Sequence, residues 1–413
     1  MANDDLRQQL IRLGVARGAN HLETRPSRQR KAIEELLPGE EVYTDRGPFF
    51  LLREPYALDY RHGSHTLSEL LACAPEGPAK LARDGRLGRV DYSSMAFVDT
   101  ETTGLAGGTG TYAFLVGVGV FEQEKFVIHQ FFMRDFGEEP AQLLALGELL
   151  DDREAVVSFN GKSFDMPLLE TRFIMTHQSP RMMDAPHLDL LPASRRFWKY
   201  RLSSCSLSTL EDEILGVERT HEDVPGWLIP SLYVDYARTG DAREMPRIFY
   251  HNAQDILSLV TLTAQQCRLL DTRFPLEAQL PGEDLYGVGR LLHDLEEWDR
   301  AEAAFVEAAQ TCRRPPVREL AARDLAYLLK RQERRDEALP WWRKLVETDG
   351  AVYACEELAK HYEWHDRDLA QATAWTRRAI ALVESWSYGA RRHGSLLDLH
   401  HRLERLERKA LAE

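Results

Sequence analysis

Residues 97 to 117 read FVDTETTGLAGGTGTYAFLVG, a strand-like run that carries two carboxylates and then a string of small residues. Side chains in a strand alternate faces, so Asp99 and Glu101 point the same way at the end of the apolar run Met95 to Val98. Two like charges on one face repel unless something positive lies between them. A lone pair of this kind reads most simply as a solvated strand end. It becomes a site only if the rest of the chain brings further acids to it.

The chain around this stretch has 413 residues and is 44% hydrophobic, which predicts two or three domains with a sizeable core. A net charge of −14 and a pI near 5.5 argue against a protein that coats nucleic acid indiscriminately, and confine any phosphate-binding surface to a local groove. The start, MANDDLRQQL, shows no basic-then-apolar signal, and no apolar run reaches the roughly 18 residues needed to span a bilayer. A cytoplasmic protein is the expectation. Cys73, Cys205, Cys267, Cys312 and Cys355 are scattered, form no C-x-x-C pair and read as reduced thiols.

Three regions separate by pattern. Residues 1–90 hold a polar start, strand-like pieces around Glu41 to Arg53 and a helix-like Thr66 to Cys73, an extension expected to pack partly on the neighbouring α/β region. In residues 91–275, strands are predicted at Met95 to Asp99, Tyr112 to Phe121, Lys125 to Arg134, Ala155 to Phe159 and His187 to Leu190. Helices are predicted at Pro140 to Leu150, Phe164 to Thr176, Leu207 to Leu215 and Pro246 to Leu269. Three strands in series followed by helix-strand alternation predict an α/β domain, a mixed sheet flanked by helices.

Residues 276–413 are helical throughout and repeat themselves. WDRAEAAFVEAA (298–309), RDEALPWWRKL (335–345) and LAQATAWTRRA (369–379) align on Ala301, Ala338 and Ala372, spaced by 37 and 34 residues. The second interval matches a tetratricopeptide repeat, and a last helix from about Ser395 to Leu411 would cap the stack. The concave face of such repeats offers a place for a protein partner, with stabilisation of the preceding domain as the plainer role.

Two further acids sit at fitting places. In VVSFNGKSFDMPLLETRF a strand ends near Asn160 and a helix opens with Phe164 and Asp165; in PRIFYHNAQDILSLV, Asp255 lies inside a helix whose Ile256, Leu259 and Val260 face a core. Each acid alone has a structural reading, Asp165 as an early-helix acid on the dipole and Asp255 as a surface charge. If all four converged they would need compensation. Two divalent cations about 3.5–4 Å apart supply it and also promote phosphodiester displacement, and oxygen-only ligation suits magnesium or manganese.

FVDTETTG, SFNGKSFD and YHNAQD, in this order, resemble the three exonuclease motifs of the DEDD (DnaQ-like) superfamily, which has a ribonuclease H-like fold. The longer stretches GGTGTYAFLVGVG, HLDLL, CSLSTLEDEILG, DVPGWLIPSLY and YHNAQDILSL, followed by helical repeats, resemble the bacterial YprB-type ribonuclease H-like proteins over roughly residues 45–385. The resemblance implies a two-metal 3′-5′ exonuclease in which Asp99 bridges both ions. Glu101 and Asp255 would hold the ion carrying the nucleophilic water, and Asp165 the other. Asn160 and Phe164 match the second motif and would shape the site, as would Thr102, Thr103 and Gly104 after the first; Asp189 falls outside the four-acid set and would support it.

The superfamily divides by its last motif, with His five residues before the final Asp in one class and Tyr four before it in the other. This chain inverts both, with Tyr250 at five and His251 at four. At about 100° per residue, His251 and Asp255 lie about 40° apart on a helix and Tyr250 and Asp255 about 140° apart, which favours His251 as the base or water-orienting group. An imidazole near pKa 6.5 also accepts a proton from water near neutral pH more readily than a phenol near 10.

The run RRFWKYRL (195–202) interleaves Arg195, Arg196, Lys199 and Arg201 with Phe197, Trp198 and Tyr200. Cations for phosphates and rings for bases are what hold a single strand without sequence readout; the alternative is a surface segment whose aromatics pack inward. Gly104, Gly107, Gly108 and Gly110 either admit a ligand or make a tight loop, and no Gly-Lys-Ser/Thr follows to suggest a P-loop. The expectation is a metal-dependent nuclease, a 3′-5′ exonuclease on single-stranded DNA or RNA. Its rivals are a structure-specific endonuclease using the same acids and a repeat scaffold with a vestigial nuclease.

Overall fold

The computed structural model describes residues 30–104, 110–220, 222–274 and 280–411. Gly107 and Gly108 of the loop after the first motif therefore lie outside the described residues. Among the described residues the main sheet has seven strands: β1 Glu40–Thr44, β2 Gly47–Ala57, β3 Met95–Thr102, β4 Ala113–Glu122, β5 Lys125–Phe132, β6 Ala155–Ser158 and β7 His187–Asp189. Their spatial order is β1-β2-β5-β4-β3-β6-β7. The meander β3-β4-β5 is antiparallel, and β6 and β7 run parallel to β3. The mixed sheet is as the alternation of patterns predicts. The strand-like pieces near Glu41 to Arg53 join its edge, because β2 pairs with β5 over Phe50–Ala57.

Helices cover both faces. On one side lie α1 (Glu139–Asp151) and α2 (Asp165–Met175); on the other lie α3 (Leu190–Trp198), α4 (Ile229–Thr239) and the long α5 (Met245–Leu270). Strand β3 shows how alternation divides the core: Met95 and Phe97 join the α5 side, Ala96 and Val98 the α1–α2 side. The small residues of β4 have a packing cause. A Cβ on Gly117 would stand 2.1 Å from Asn252 Oδ1 and 2.4 Å from Ile256 Cδ1, and one on Gly119 2.6 Å from Ile256 Cγ2. Only glycine lets α5 lie this close to the sheet, and Gly117 is the β4 partner of Asp99.

Two boundaries differ from the sequence expectation. Strand β3 continues beyond Asp99 to Thr102, since pairing with β4 persists through Glu101 and becomes irregular only between Glu101 and Thr102. The helix expected over Leu207 to Leu215 is one α-turn, Leu207–Leu210, followed by a π-turn at Glu211–Leu215, a wider turn of the kind that re-aims side chains.

The C-terminal region is a stack of helices: α6 (Gly282–Asp294), α7 (Trp298–Thr311), α8 (Pro315–Arg331), α9 (Arg335–Asp349), α10 (Val352–Trp364), α11 (Leu369–Glu384) and α12 (Ala390–Ala410). The aligned segments are the second helices of successive pairs, and Ala301, Ala338 and Ala372 are buried where the pairs close together. The stack docks through α6 onto α3, and one hydrophobic core runs from Phe97 and Val157 through Phe197 and Trp198 to Tyr286 and Phe305. All five cysteines are free. Among the described residues no helix is long and apolar enough to cross a membrane.

Candidate active site

Because β3 extends through both acids, Asp99 and Glu101 continue the face begun by Met95 and Phe97 and point toward α5. Helix α5 answers with Asn252, whose Nδ2 donates to Asp99 Oδ2 at 2.8 Å, and with Asp255 one turn further on. Asn252 is itself fixed by Gln130 Nε2, which donates to its Oδ1 at 2.9 Å and to the Phe249 carbonyl at 2.8 Å. Thr100 points to the opposite face, and its hydroxyl donates to Asp165 at the start of α2. The polypeptide thus brings Asp99, Glu101, Asp165 and Asp255 to one end of the sheet from three elements.

Burial and mutual repulsion both act on them. Burial, then the charges of Asp255 and Asp165, hold Asp99 well above the usual carboxylate range against the opposing Asn252 hydrogen bond. Glu101 is raised by burial and then by Asp99, Asp255 and Asp165. Burial raises Asp165 as well, with the Thr100 hydrogen bond pulling the other way. Without a metal cation, Asp99, Glu101 and Asp165 hold protons they would otherwise lose.

Among the described residues, the arginine Arg219 reaches the cluster, and nothing in the sequence pattern singled it out. Arg219 forks onto Glu211, donating from Nε to Oε2 and from Nη2 to Oε1 at 2.7 Å each, and the same Nη2 donates to Asp255. Burial opposes its charge, but Asp255 and Glu211 keep the guanidinium firmly protonated. Glu211, raised mainly by burial, also accepts from Ser258 at 2.6 Å, and Ser258 meets His62 Nε2 at 2.7 Å. The π-turn carries Glu211 into this buried row.

His251 lies on the Asp255 side of α5, as the helix geometry predicts. Its Nδ1 is 2.7 Å from Asp223 Oδ1 and 3.0 Å from Arg219 Nη1, and its Nε2 stands 3.8 Å from Asp255 Oδ2. With Nδ1–H given to the nearer Asp223, Nε2 keeps its lone pair toward the cluster. Tyr250 turns away, its hydroxyl accepting from Thr220 at 3.2 Å. Asp223, the orienting acid, lies within DVPGWLIPSLY, a stretch legible as a motif but not as a role.

The remaining expected residues divide. Asp189 ties down the turn that presents Asp165, accepting from the backbone N–H groups of Asn160 (2.8 Å), Lys162 (3.2 Å) and Leu191 (3.0 Å). Asn160 sits at φ +64°, a left-handed conformation that Asn tolerates, and Phe164 is 55% exposed beside the cluster's α2 arm. Thr102 donates to the Gly104 carbonyl and Thr103 Oγ1 accepts from Tyr112 N–H, both at 3.0 Å, so these threonines close their own loop. A Cβ on Gly104 would meet open space.

The basic stretch 195–202 departs from the polymer-binding expectation. Trp198 is only 3% exposed and Phe197 is fully buried in the shared core, so neither ring is open to a base. Arg196 pairs with Asp294 at 2.6 Å and Arg201 with Asp284 at 2.9 Å, while Tyr200 packs on Tyr286 with ring centroids 4.7 Å apart. Arg195 and Lys199 stay exposed, Lys199 over the Tyr200 ring. The segment is the seam between the two parts of the molecule.

The donor set suits a hard divalent cation: four carboxylates, all oxygen, with no thiol near them. Among the described residues, no group of three or more His, Cys, Asp and Glu side chains is arranged to hold a metal ion as it stands. Three of the four acids are turned onto protein donors, Asp99 onto Asn252, Asp165 onto Thr100 and Asp255 onto Arg219.

Comparison with known proteins agrees with this architecture. Residues 96–266 match the family model described as the RNase_H superfamily, a span that begins in β3 and ends in α5. The chain is 30% identical over 385 residues to the uncharacterized protein YprB of Bacillus subtilis (strain 168), an alignment covering 90% of this chain and 89% of that protein.

Proposed function

This chain belongs to the ribonuclease H superfamily, with the YprB-type proteins, and from that premise we propose that it is a metal-dependent 3′-5′ exonuclease acting on single-stranded DNA or RNA. The observation that carries the reading is the gathering of Asp99, Glu101, Asp165 and Asp255 at one end of the sheet, where burial and then the neighbouring carboxylates hold Asp99 and Glu101 well above the usual carboxylate range. A fold does not collect uncompensated carboxylates for stability, because each costs free energy unless a cation meets it. The exonuclease mode and its direction rest on the resemblance of the three motifs to the DEDD superfamily.

Bound at these four carboxylates, two divalent ions, Mg²⁺ or Mn²⁺, would offset their charge and favour attack of water on the phosphodiester. The chain's own groups do the rest. Asn252, held by Gln130, fixes the orientation of Asp99; Asp189 fixes the turn that presents Asp165. His251, oriented by Asp223, offers Nε2 to take a proton from a water lying near Asp255. Arg219 holds Asp255, a pairing that a metal ion bound there would have to displace.

The test is cleavage of single- and double-stranded DNA and RNA labelled at either end, with Mg²⁺ or Mn²⁺, by the wild type and by Asp99→Ala. A ladder growing from the 3′ end, lost by at least about 100-fold in the variant while its fold is retained, is expected. Full activity in Asp99→Ala refutes the site, and cleavage of a circular strand refutes the exonuclease mode.

A further inference from the structure

An acidic chain that handles a polyanion needs concentrated positive charge somewhere. In the basic stretch beside α3, Arg196 and Arg201 are spent on the seam, where each meets an aspartate, and both Trp198 and Phe197 are buried. At the other end of the helical stack the balance is different. A cavity of about 300 Å³ opens between α8, α9, α10 and α12, lined by Lys330, Arg335, Lys360, Arg402, Arg405 and Trp364 among others.

Two carboxylates in and beside this cavity are nearly buried and already shared. Glu357 accepts from both Lys330 and Lys360, and Glu363 accepts from Arg402 (3.2 Å), Arg405 (2.7 Å) and Lys409 (2.7 Å). Five cations thus divide two negative charges, and among the described residues Arg335 pairs with the exposed Glu333 at 3.1 Å. At the seam, by contrast, Arg83, Arg196 and Arg201 meet three acids, Asp294, Asp284 and Glu213. Here positive charge is left over, and the buried Arg405 Nε and His361 Nδ1 have no hydrogen-bond partner among the described residues.

An aromatic surface adjoins the charge. Trp364 is 57% exposed, with Lys409 Nζ 4.0 Å and the Arg405 guanidinium 5.6 Å from its ring centre. Cations for phosphates beside a ring for a base are the two elements of sequence-independent single-strand binding. The cavity lies at the small end of ligand sites, a size for one nucleotide unit rather than for a duplex. We propose that this cavity in the helical repeats anchors a single nucleic-acid strand, taking a phosphate among Arg335, Lys360 and Arg402 and a base against Trp364. The inference rests on the nuclease reading for its choice of polyanion.

Binding of a long fluorescent single strand is measured with the full-length protein in chelator, so that no cleavage enters. Lys360→Ala with Arg402→Ala should weaken binding about tenfold and lower the slope of log affinity against log salt by about 0.7 for each phosphate contact removed. Trp364→Ala should weaken it by a similar factor with the salt slope unchanged. Arg335→Ala, whose partner is exposed, serves if the double variant fails to fold. Strand affinity unchanged in Arg335→Ala and Trp364→Ala overturns the proposal, as does an acidic peptide that binds at this cavity when the strand does not. A wild type that cleaves nothing with metal, yet loses strand affinity in these variants, refutes the nuclease reading and supports this one.

Discussion

The acid cluster at the end of β3 and the basic stretch at the end of α3 are both dense in charge, and they are built in opposite ways. At the cluster, four carboxylates come together and, among the described residues, one arginine, already forked onto Glu211, reaches one of them. At the seam, Arg196 and Arg201 each find an aspartate of α6, and the aromatics between them pack inward. Unmatched like charge is costly to fold and is kept where a ligand will supply the missing sign; matched charge marks assembly. From sequence the acids carried a motif set, while the basic stretch read either as a strand-binding surface or as a segment whose aromatics pack inward. Their partners, contributed by residues far away in the chain, separate them.

The sharpest way to strain this contrast is Arg219→Gln. It leaves Glu211 buried without its fork and Asp255 without a cation, which should cost about 3–5 kcal/mol in metal-free protein. Urea unfolding with and without Mn²⁺ reads the second half of the prediction. The ion should stabilise the variant more than the wild type, because it no longer has to displace a guanidinium from Asp255. Equal increments in the two proteins would mean that Arg219 does not compete for the site.

Gly287→Val tests the seam from its backbone rather than its charges. A Cβ at this position in α6 would stand 2.4 Å from the Phe197 carbonyl oxygen and 2.5 Å from that of Arg196, so the helices must part. A loss of about 2–3 kcal/mol and easier proteolysis near α3 are expected. A variant as stable as the wild type would show that the contact between α3 and α6 is not what joins the two parts.

A smaller effect comes from the buried row behind Arg219. Burial, with Arg219 and His65 adding to it, lowers His62 to about 4, so the folded protein keeps it neutral while the unfolded chain protonates it below about 6.5. The contribution is complete above that value and is lost as pH falls toward 4, about 2 kcal/mol by pH 5. His187, also lowered to about 4 by burial, adds a similar slope. The two are separated by comparing the wild type with His62→Gln, which should lack about 2 kcal/mol of the acid-induced loss by pH 5 in urea unfolding. An unchanged pH profile in His62→Gln would count against the burial of a neutral imidazole there.

Much of the fold was legible because its signals are local. The strands of the meander, the helices α1, α2 and α5, and the repeat spacing follow from periodicity within one element, and the four acids from motif resemblance. Glu211, Arg219 and Asp223 were not legible as a group. They lie on a π-turn and an irregular segment with no periodicity, and their roles arise only when α5 packs beside them. Nor could the sequence say why β4 carries glycine. Gly117 and Gly119 answer to Asn252 and Ile256, a contact between distant parts of the chain. Trp198 misled for a related reason, since a ring flanked by cations looks the same whether it meets a base or the next domain.

Arg196→Ala carries the comparison to its smallest and most discriminating consequence. The Arg196–Asp294 pair is short at 2.6 Å, but both side chains are more than a third exposed, so screening by water limits its worth to less than about 1 kcal/mol. Asp294 also keeps Arg83 at 2.5 Å when Arg196 is removed, which offsets part of the loss. If 195–202 is a seam, Arg196→Ala should leave strand affinity and its salt dependence unchanged while shifting stability only slightly. If the stretch is a polymer path, the same change should weaken binding and reduce the salt slope by about 0.7, the signature of one lost phosphate contact. Stability alone cannot separate the two, because both allow a small change; the salt slope can, since a matched pair turned toward Asp294 releases no counterion when a strand binds.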